Sequence, residues 1–550
     1  MIQPGAFFDP LGILPSLWKV HKAWLKEPEK LLELVMDINS DLTSFDKDGS
    51  LTFSPDQSYP HWKAGLLNMT RACSKLGSEF QAAYGRWSKE YIGRIEGLEG
   101  RERQILSFLA NQIIHAISPL NYFWTNPVAV EKFLDSNGMS LLTGIGNLLE
   151  DLARGDHLIQ ITDPDALEVG RDLANTPGFV VFRNDLMELI QYSPTTKEVH
   201  SVPIVFVQAW INKYYIVDLT AENSLIRYLV GAGFTVFMIS WKNPGPDMRN
   251  VGFDDYMFRG ALAGIEAARD ICGVQQVHAV GYCVGGAVLA ALMAWLNFGY
   301  KGGDSIPIKH WTLLATVVDF SEPGEIGVYL TENSIAFLEE LMKKDGYLHP
   351  AYLANAVRLL RPEILVWRYF AHNYLQGEKP PKSEFLFWHN DHTRIPASAC
   401  SFLLNQLYLQ NNLVQKDKII LANKPLDLRR ISQPLYAVGA EQDHLSPWKG
   451  TFKICSLVNA PTRYTLVREG HVTGFVNPPS PRNRKKFISG DAGGKDLDQW
   501  VFSQEEKRGS WWPEWVEWLC GGCSPVVPAP EGHPKYPPLG KAPGSYVMES

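Results

Sequence analysis

Gly281-Tyr282-Cys283-Val284-Gly285-Gly286 stands between an apolar run, Val277-His278-Ala279-Val280, and a long apolar stretch from Ala287 to Leu296. A strand, a glycine-flanked tight turn and a helix in that order read as a nucleophile elbow, here with cysteine where serine is usual. Gly281 and Gly285 let strand and helix approach closely. The helix N-terminus adds unpaired N–H groups and a partial positive charge, which favour a thiolate and an oxyanion in one small volume.

Around this elbow, short β-branched runs alternate with helical ones: Phe179 to Phe182, Pro203 to Val207, Phe234 to Ser240, Val277 to Val280 and His310 to Val318. That alternation predicts a parallel sheet with covering helices. After Asp319-Phe320 it stops for about 110 residues rich in aromatics and helical periodicity, and resumes at Pro434-Leu435-Tyr436-Ala437-Val438. The fold class expected is α/β: an α/β-hydrolase core with a helical cap insertion and a mainly helical N-terminal region. The boundaries expected are 1–175 for the helical region, 176–530 for the catalytic domain with the insertion at 321–432, and 531–550 for an extended tail. Trp367, Phe370, Tyr374, Phe387, Trp388 and Tyr408 of the insertion are candidates for lining an apolar acyl tunnel.

Two later strand ends supply partners for Cys283. Asp443 follows the strand at 434–438, and His471 follows Arg463 to Val467. The order Cys, Asp, His is the one this fold uses. Spacing alone leaves Glu441 and His444 as competitors, and His471 is the expected base. The loop Gln208-Ala209-Trp210-Ile211-Asn212-Lys213-Tyr214-Tyr215 lies where a second oxyanion N–H originates, which points to Ile211 or Trp210. Asp254 and Asp255 read as helix N-terminal residues.

A thiol paired with histidine becomes a nucleophile near neutral pH, and a carboxylate keeps the imidazole in the right tautomer. Acyl transfer is the reaction class expected, and cysteine in place of serine suits a thioester donor.

Composition narrows the alternatives. With 52 basic and 59 acidic residues, a net charge of −7 and no basic stripe, the 550-residue chain is not expected to bind nucleic acid. Seven scattered cysteines and the absence of a basic n-region before an apolar h-region predict a reducing cytoplasm. The apolar run around Val284 to Phe298 is too short for a membrane span. Cys520-Gly521-Gly522-Cys523 has no second pair, so no metal site is expected. An apolar N-terminal segment, Phe7 to Trp18, and an amphipathic pattern from Glu27 to Ile38 could dock on a surface, on this protein or on a second subunit.

The chain resembles the polyhydroxyalkanoate synthases, within them the class I enzymes acting on short (R)-3-hydroxyacyl-CoA. The resemblance rests on Gly281 to Gly286, Trp210 to Leu219, Asn147 to Phe182, Trp388 to Pro396, Gly470-His471-Val472-Thr473-Gly474 and Pro543 to Val547. It implies that Cys283 is acylated, that His471 activates it, and that Asp443 orients His471 or helps activate the 3-hydroxyl of the incoming unit. Val284 N–H would serve the oxyanion. It further implies an (R)-3-hydroxyacyl-CoA substrate, with CoA as leaving group and no cofactor, a homodimer, and residence on cytoplasmic polyester granules. The alternative activity is an intracellular polyester depolymerase or acyl-CoA thioesterase with the same triad.

Overall fold

The computed structural model describes residues 59–95, 97–154, 158–298, 306–521, 526–530 and 532–549. The segments Phe7 to Trp18 and Glu27 to Ile38, and Cys523, lie outside them. The chain divides into two compact units, Met1–Asp163 with Ala351–Lys382, and Pro164–Pro350 with Ser383–Ser550.

The described part of the first unit is built from helices α1 (Tyr59–Arg94), α2 (Gly100–Ala116), α3 (Pro127–Asp135) and α4 (Met139–Arg154). Their starts follow from local chemistry. Before α2, the Glu99 N–H donates to Glu102 Oε2 at 2.9 Å, so the N3 carboxylate reaches back to the cap. Asn126 caps α3 by accepting from the N–H groups of Val128 and Ala129, both at 3.1 Å, and Pro127 sits where a missing N–H costs nothing. Residues 351–382, inside the span read as an insertion, belong to this unit through buried polar contacts. Arg358 Nη1 donates to Ile159 O at 2.9 Å, Asn373 Nδ2 to Gln160 O at 2.6 Å, and Tyr374 OH to Asp151 Oδ2 at 2.5 Å.

The second unit is organised on a sheet of eleven strands among the described residues. In chain order these are β1 (Gly178–Arg183), β2 (Met187–Tyr192), β3 (Ile204–Val207), β4 (Val236–Trp241), β5 (Val277–Tyr282), β6 (Ile308–Leu314), β7 (Leu435–Ala440), β8 (Thr462–Val467), β9 (Lys486–Asp491), β10 (Lys507–Arg508) and β11 (Gly540–Lys541). Across the sheet they run β10-β9-β8-β7-β6-β5-β3-β4-β2-β1-β11. The six from β8 to β4 are mutually parallel, and the flanking strands pair antiparallel. Every residue of β3, β4 and β5 is buried, as a parallel sheet covered on both faces requires. Helix α5 (Val284–Asn297) follows β5 and is buried over most of its length, which explains its continuous apolar sequence.

Strand β2 carries Glu188 with no exposed surface. Its carboxylate pairs with Arg183 and accepts the N–H groups of Ser545 at 2.9 Å and Tyr546 at 3.1 Å. The C-terminal stretch is therefore pinned to the sheet as β11 and the turn beyond it. Among the described residues no helix is long and apolar enough to cross a membrane.

Candidate active site

Cys283 sits between β5 and α5 with φ 51° and ψ −124°, a conformation that costs a non-glycine residue about 1–3 kcal/mol. The surroundings hold it there. Its N–H donates to Leu314 O at 2.8 Å, while its carbonyl accepts from Gly286 N at 2.9 Å, Ala287 N at 3.3 Å and Thr316 Oγ1 at 3.3 Å. A Cβ on Gly285 would stand 2.3 Å from Gln208 O and 2.4 Å from Val207 O. Only glycine lets the end of β3 lie against the start of α5 this closely.

Asp443 follows β7 and is 5% exposed. Its Oδ1 accepts the N–H groups of Leu445 at 2.9 Å and Ser446 at 2.8 Å, and its Oδ2 lies 2.7 Å from His471 Nδ1. His471 follows β8, and its other partner is Cys283. Burial disfavours the imidazolium most strongly, but the charge and hydrogen bond of Asp443, then the hydrogen bond and charge of Cys283, raise the His471 pKa to about 10. Tyr282 OH donates to His471 O at 3.3 Å and fixes the backbone at that point.

The structure thus brings Cys283, His471 and Asp443 together and commits one competitor, Glu441, to another partner. Glu441 pairs with Arg468, and the His444 carbonyl accepts Glu325 N–H at 3.0 Å. As the first residue of α5, Val284 has an N–H with no helical acceptor, and none takes it among the described residues. Val207 and Gln208 make the contact that brings the loop after β3 to the elbow. Trp210 is buried and stacked on Tyr256 with ring centroids 4.7 Å apart; Ile211 follows it, half-buried.

A small cavity opens on Cys283 and is lined by Val284, Ala287, Val317, Phe320, Tyr408 and Leu445, among others. Of the aromatics named from the sequence, Tyr408 faces it, packed on Phe320 at 4.6 Å between centroids. Trp388 instead joins the core of the second unit, and Trp367, Phe370 and Tyr374 belong to the first. Thr316 had no sequence signal: a threonine just past a strand announces nothing, and its role appears only when its hydroxyl meets the Cys283 carbonyl. Among the described residues no group of three or more His, Cys, Asp or Glu side chains is arranged to hold a metal ion.

Residues 71–229 match the family model described as "Poly-beta-hydroxybutyrate polymerase (PhaC) N-terminus", and residues 202–326 match the "alpha/beta hydrolase fold". The chain is 36% identical to a poly(3-hydroxyalkanoate) polymerase of Methylorubrum extorquens over 97% of this chain and 89% of that one. It is 38% identical to the poly(3-hydroxyalkanoate) polymerase subunit PhaC of Cupriavidus necator over 88% of this chain and 82% of that one. Among solved structures, a monoacylglycerol lipase of Paleococcus ferrophilus aligns with 52% of this chain and 90% of its own at 11% identity and a TM-score of 0.31. With its α/β-hydrolase core and its near full-length similarity to these polymerases, the chain belongs to the poly(3-hydroxyalkanoate) polymerase family of acyltransferases.

Proposed function

We propose that the protein polymerises (R)-3-hydroxyacyl-CoA, with 3-hydroxybutyryl-CoA as the short-chain substrate, by covalent catalysis at Cys283. The observation that carries this reading is the placement of His471 between Cys283 and Asp443. The raised pKa of His471 keeps the thiol proton on the imidazole, so Sγ attacks the thioester carbonyl carbon as the thiolate, and the carbonyl π pair moves onto oxygen. Val284 N–H and a second N–H, assigned to Ile211, hold that oxyanion. When the carbonyl re-forms, the C–S bond to CoA breaks, and the departing CoA thiolate takes the proton from His471. The 3-hydroxyl of a second unit then gives its proton to His471 and attacks the acyl carbonyl carbon; the C–S bond to Cys283 breaks as the ester forms, leaving Sγ as the thiolate beside the protonated His471.

Both Asp443 oxygens are already occupied, by His471 and by the two loop N–H groups. That supports the orienting role for Asp443 over direct contact with a substrate hydroxyl. The cavity's apolar lining supports transfer to an alcohol over hydrolysis, because water at the acyl-enzyme would release free acid.

The insoluble product is the proposed docking partner, on cytoplasmic granules, and the family resemblance supports a homodimer. Helix α4 is apolar on its outer side, where Met139, Leu142, Ile145, Leu149 and Leu152 are 45–62% exposed. Its other side carries Gly144, Asn147 and Asp151, which contact Tyr374, Asn373 and Gln160. An exposed apolar stripe of that kind suits contact with a polyester surface.

The test is incubation with (R)-3-hydroxybutyryl-CoA, following free CoA, turbidity and product length. CoA release with insoluble polyester is expected. CoA release with only free 3-hydroxybutyrate would assign the thioesterase activity instead.

A further inference from the structure

The loop that follows β3 is anchored at both ends. At its start, Gln208 lies against Gly285, and its carbonyl accepts Trp241 Nε1–H at 2.8 Å. At its far end, Lys213 has a side chain only 6% exposed, and its Nζ lies 2.7 Å from Asp391 Oδ1. The other carboxylate oxygen, Oδ2, accepts Tyr215 OH at 2.7 Å. Trp388 Nε1–H donates to the Lys213 carbonyl at 2.8 Å, and Asn212 forms an antiparallel bridge with His392. Helix α6 (Glu384–Asn390) and the two residues after it are thereby fastened to the loop. Between the anchors lie Ala209, Trp210 and Ile211, the stretch from which the second oxyanion donor comes.

We propose that Lys213, Asp391 and Tyr215 are positioning residues that hold this stretch of backbone in the geometry needed to donate to the oxyanion at Cys283. The inference rests on the acyl-transfer reading above, and makes the 384–392 segment part of the oxyanion-binding apparatus as well as a cover. A donor lowers the barrier only if it is already in place when charge develops on oxygen. A buried ammonium without its carboxylate is costly, so the cluster has one low-energy arrangement and imposes it on the loop. Each oxygen of Asp391 takes a different donor, which fixes both Lys213 and Tyr215 relative to α6.

Alkylation of Cys283 separates this role from a general structural one. Iodoacetamide forms a carbon–sulfur bond and expels iodide without any tetrahedral oxyanion, so its rate reads Sγ and His471 but not the loop. Thioester acylation needs all three. Two variants are compared with the unaltered protein: Tyr215→Phe, which leaves no charge unpaired, and the pair Lys213→Met with Asp391→Asn, which removes both charges and keeps volume. CoA release from (R)-3-hydroxybutyryl-CoA is expected to fall several-fold in kcat for Tyr215→Phe and about a hundredfold for the pair, with KM and the alkylation rate each within about twofold. Equal losses in alkylation and CoA release would overturn the proposal, as would full activity in both variants. A Cys283→Ala control keeps the two levels apart: if it still releases CoA, the acyl-enzyme reading itself has failed.

Discussion

His471 Nδ1 lies 2.7 Å from Asp443 Oδ2, and the same carboxylate is fixed through Oδ1 by the N–H groups of Leu445 and Ser446. The loop after β7 therefore sets the carboxylate, and the carboxylate sets the imidazole. Asp443→Asn would keep the loop contacts but present an amide to Nδ1, favouring the wrong tautomer. A loss in kcat of about a thousandfold is expected. A loss under tenfold in CoA release would contradict the assignment.

The raised pKa of His471 gives a pH signature. Its ordinary value is 6.5 and its folded value about 10, so the folded state binds the proton more tightly than the unfolded chain. The stabilisation is fully present below pH 6.5 and is lost as pH rises through about 10. The Tm difference between the unaltered protein and His471→Gln should therefore shrink from pH 6.5 to pH 10. A difference constant over that range would show that His471 carries no extra proton affinity in the fold.

Gly285 tests the close approach of the loop after β3. Its substitution by alanine would put a methyl group 2.3 Å from Gln208 O, where backbone on both sides prevents escape. A destabilisation of about 1–3 kcal/mol is expected in urea unfolding, with strong loss of CoA release. An alanine variant of unchanged stability would mean that the loop yields easily.

The outer face of α4 makes a separate prediction about the polyester surface. Leu142→Glu with Leu149→Glu adds charge where both side chains are exposed, at 62% and 61%. Thermal stability and the initial rate of CoA release should be unchanged, while the fraction of enzyme sedimenting with washed polymer falls. Equal sedimentation of variant and unaltered protein would remove this face from granule contact.

Much of this arrangement was legible in the sequence because it sits at strand ends. The elbow declares itself by glycines between two apolar runs of different period, and Asp443 and His471 each follow a β-branched run. Strand β2 was not read, since a buried Glu188 near its start looks like a surface residue until Arg183, Ser545 and Tyr546 are seen around it. Nor was the assignment of 351–382 to the first unit, because a helical period is the same whichever neighbour the helix packs on. The Lys213–Asp391 pair joins distant parts of the chain, and a lysine in an aromatic loop gives no sign of its partner.

The most direct measurement is intact-protein and peptide mass spectrometry after brief exposure to (R)-3-hydroxybutyryl-CoA. A mass increase of one or more 3-hydroxybutyryl units, mapped to the peptide containing Cys283 and absent from Cys283→Ala, is the predicted result. Polymer formation by Cys283→Ala, or acyl units attached at another residue, would contradict covalent catalysis at this cysteine.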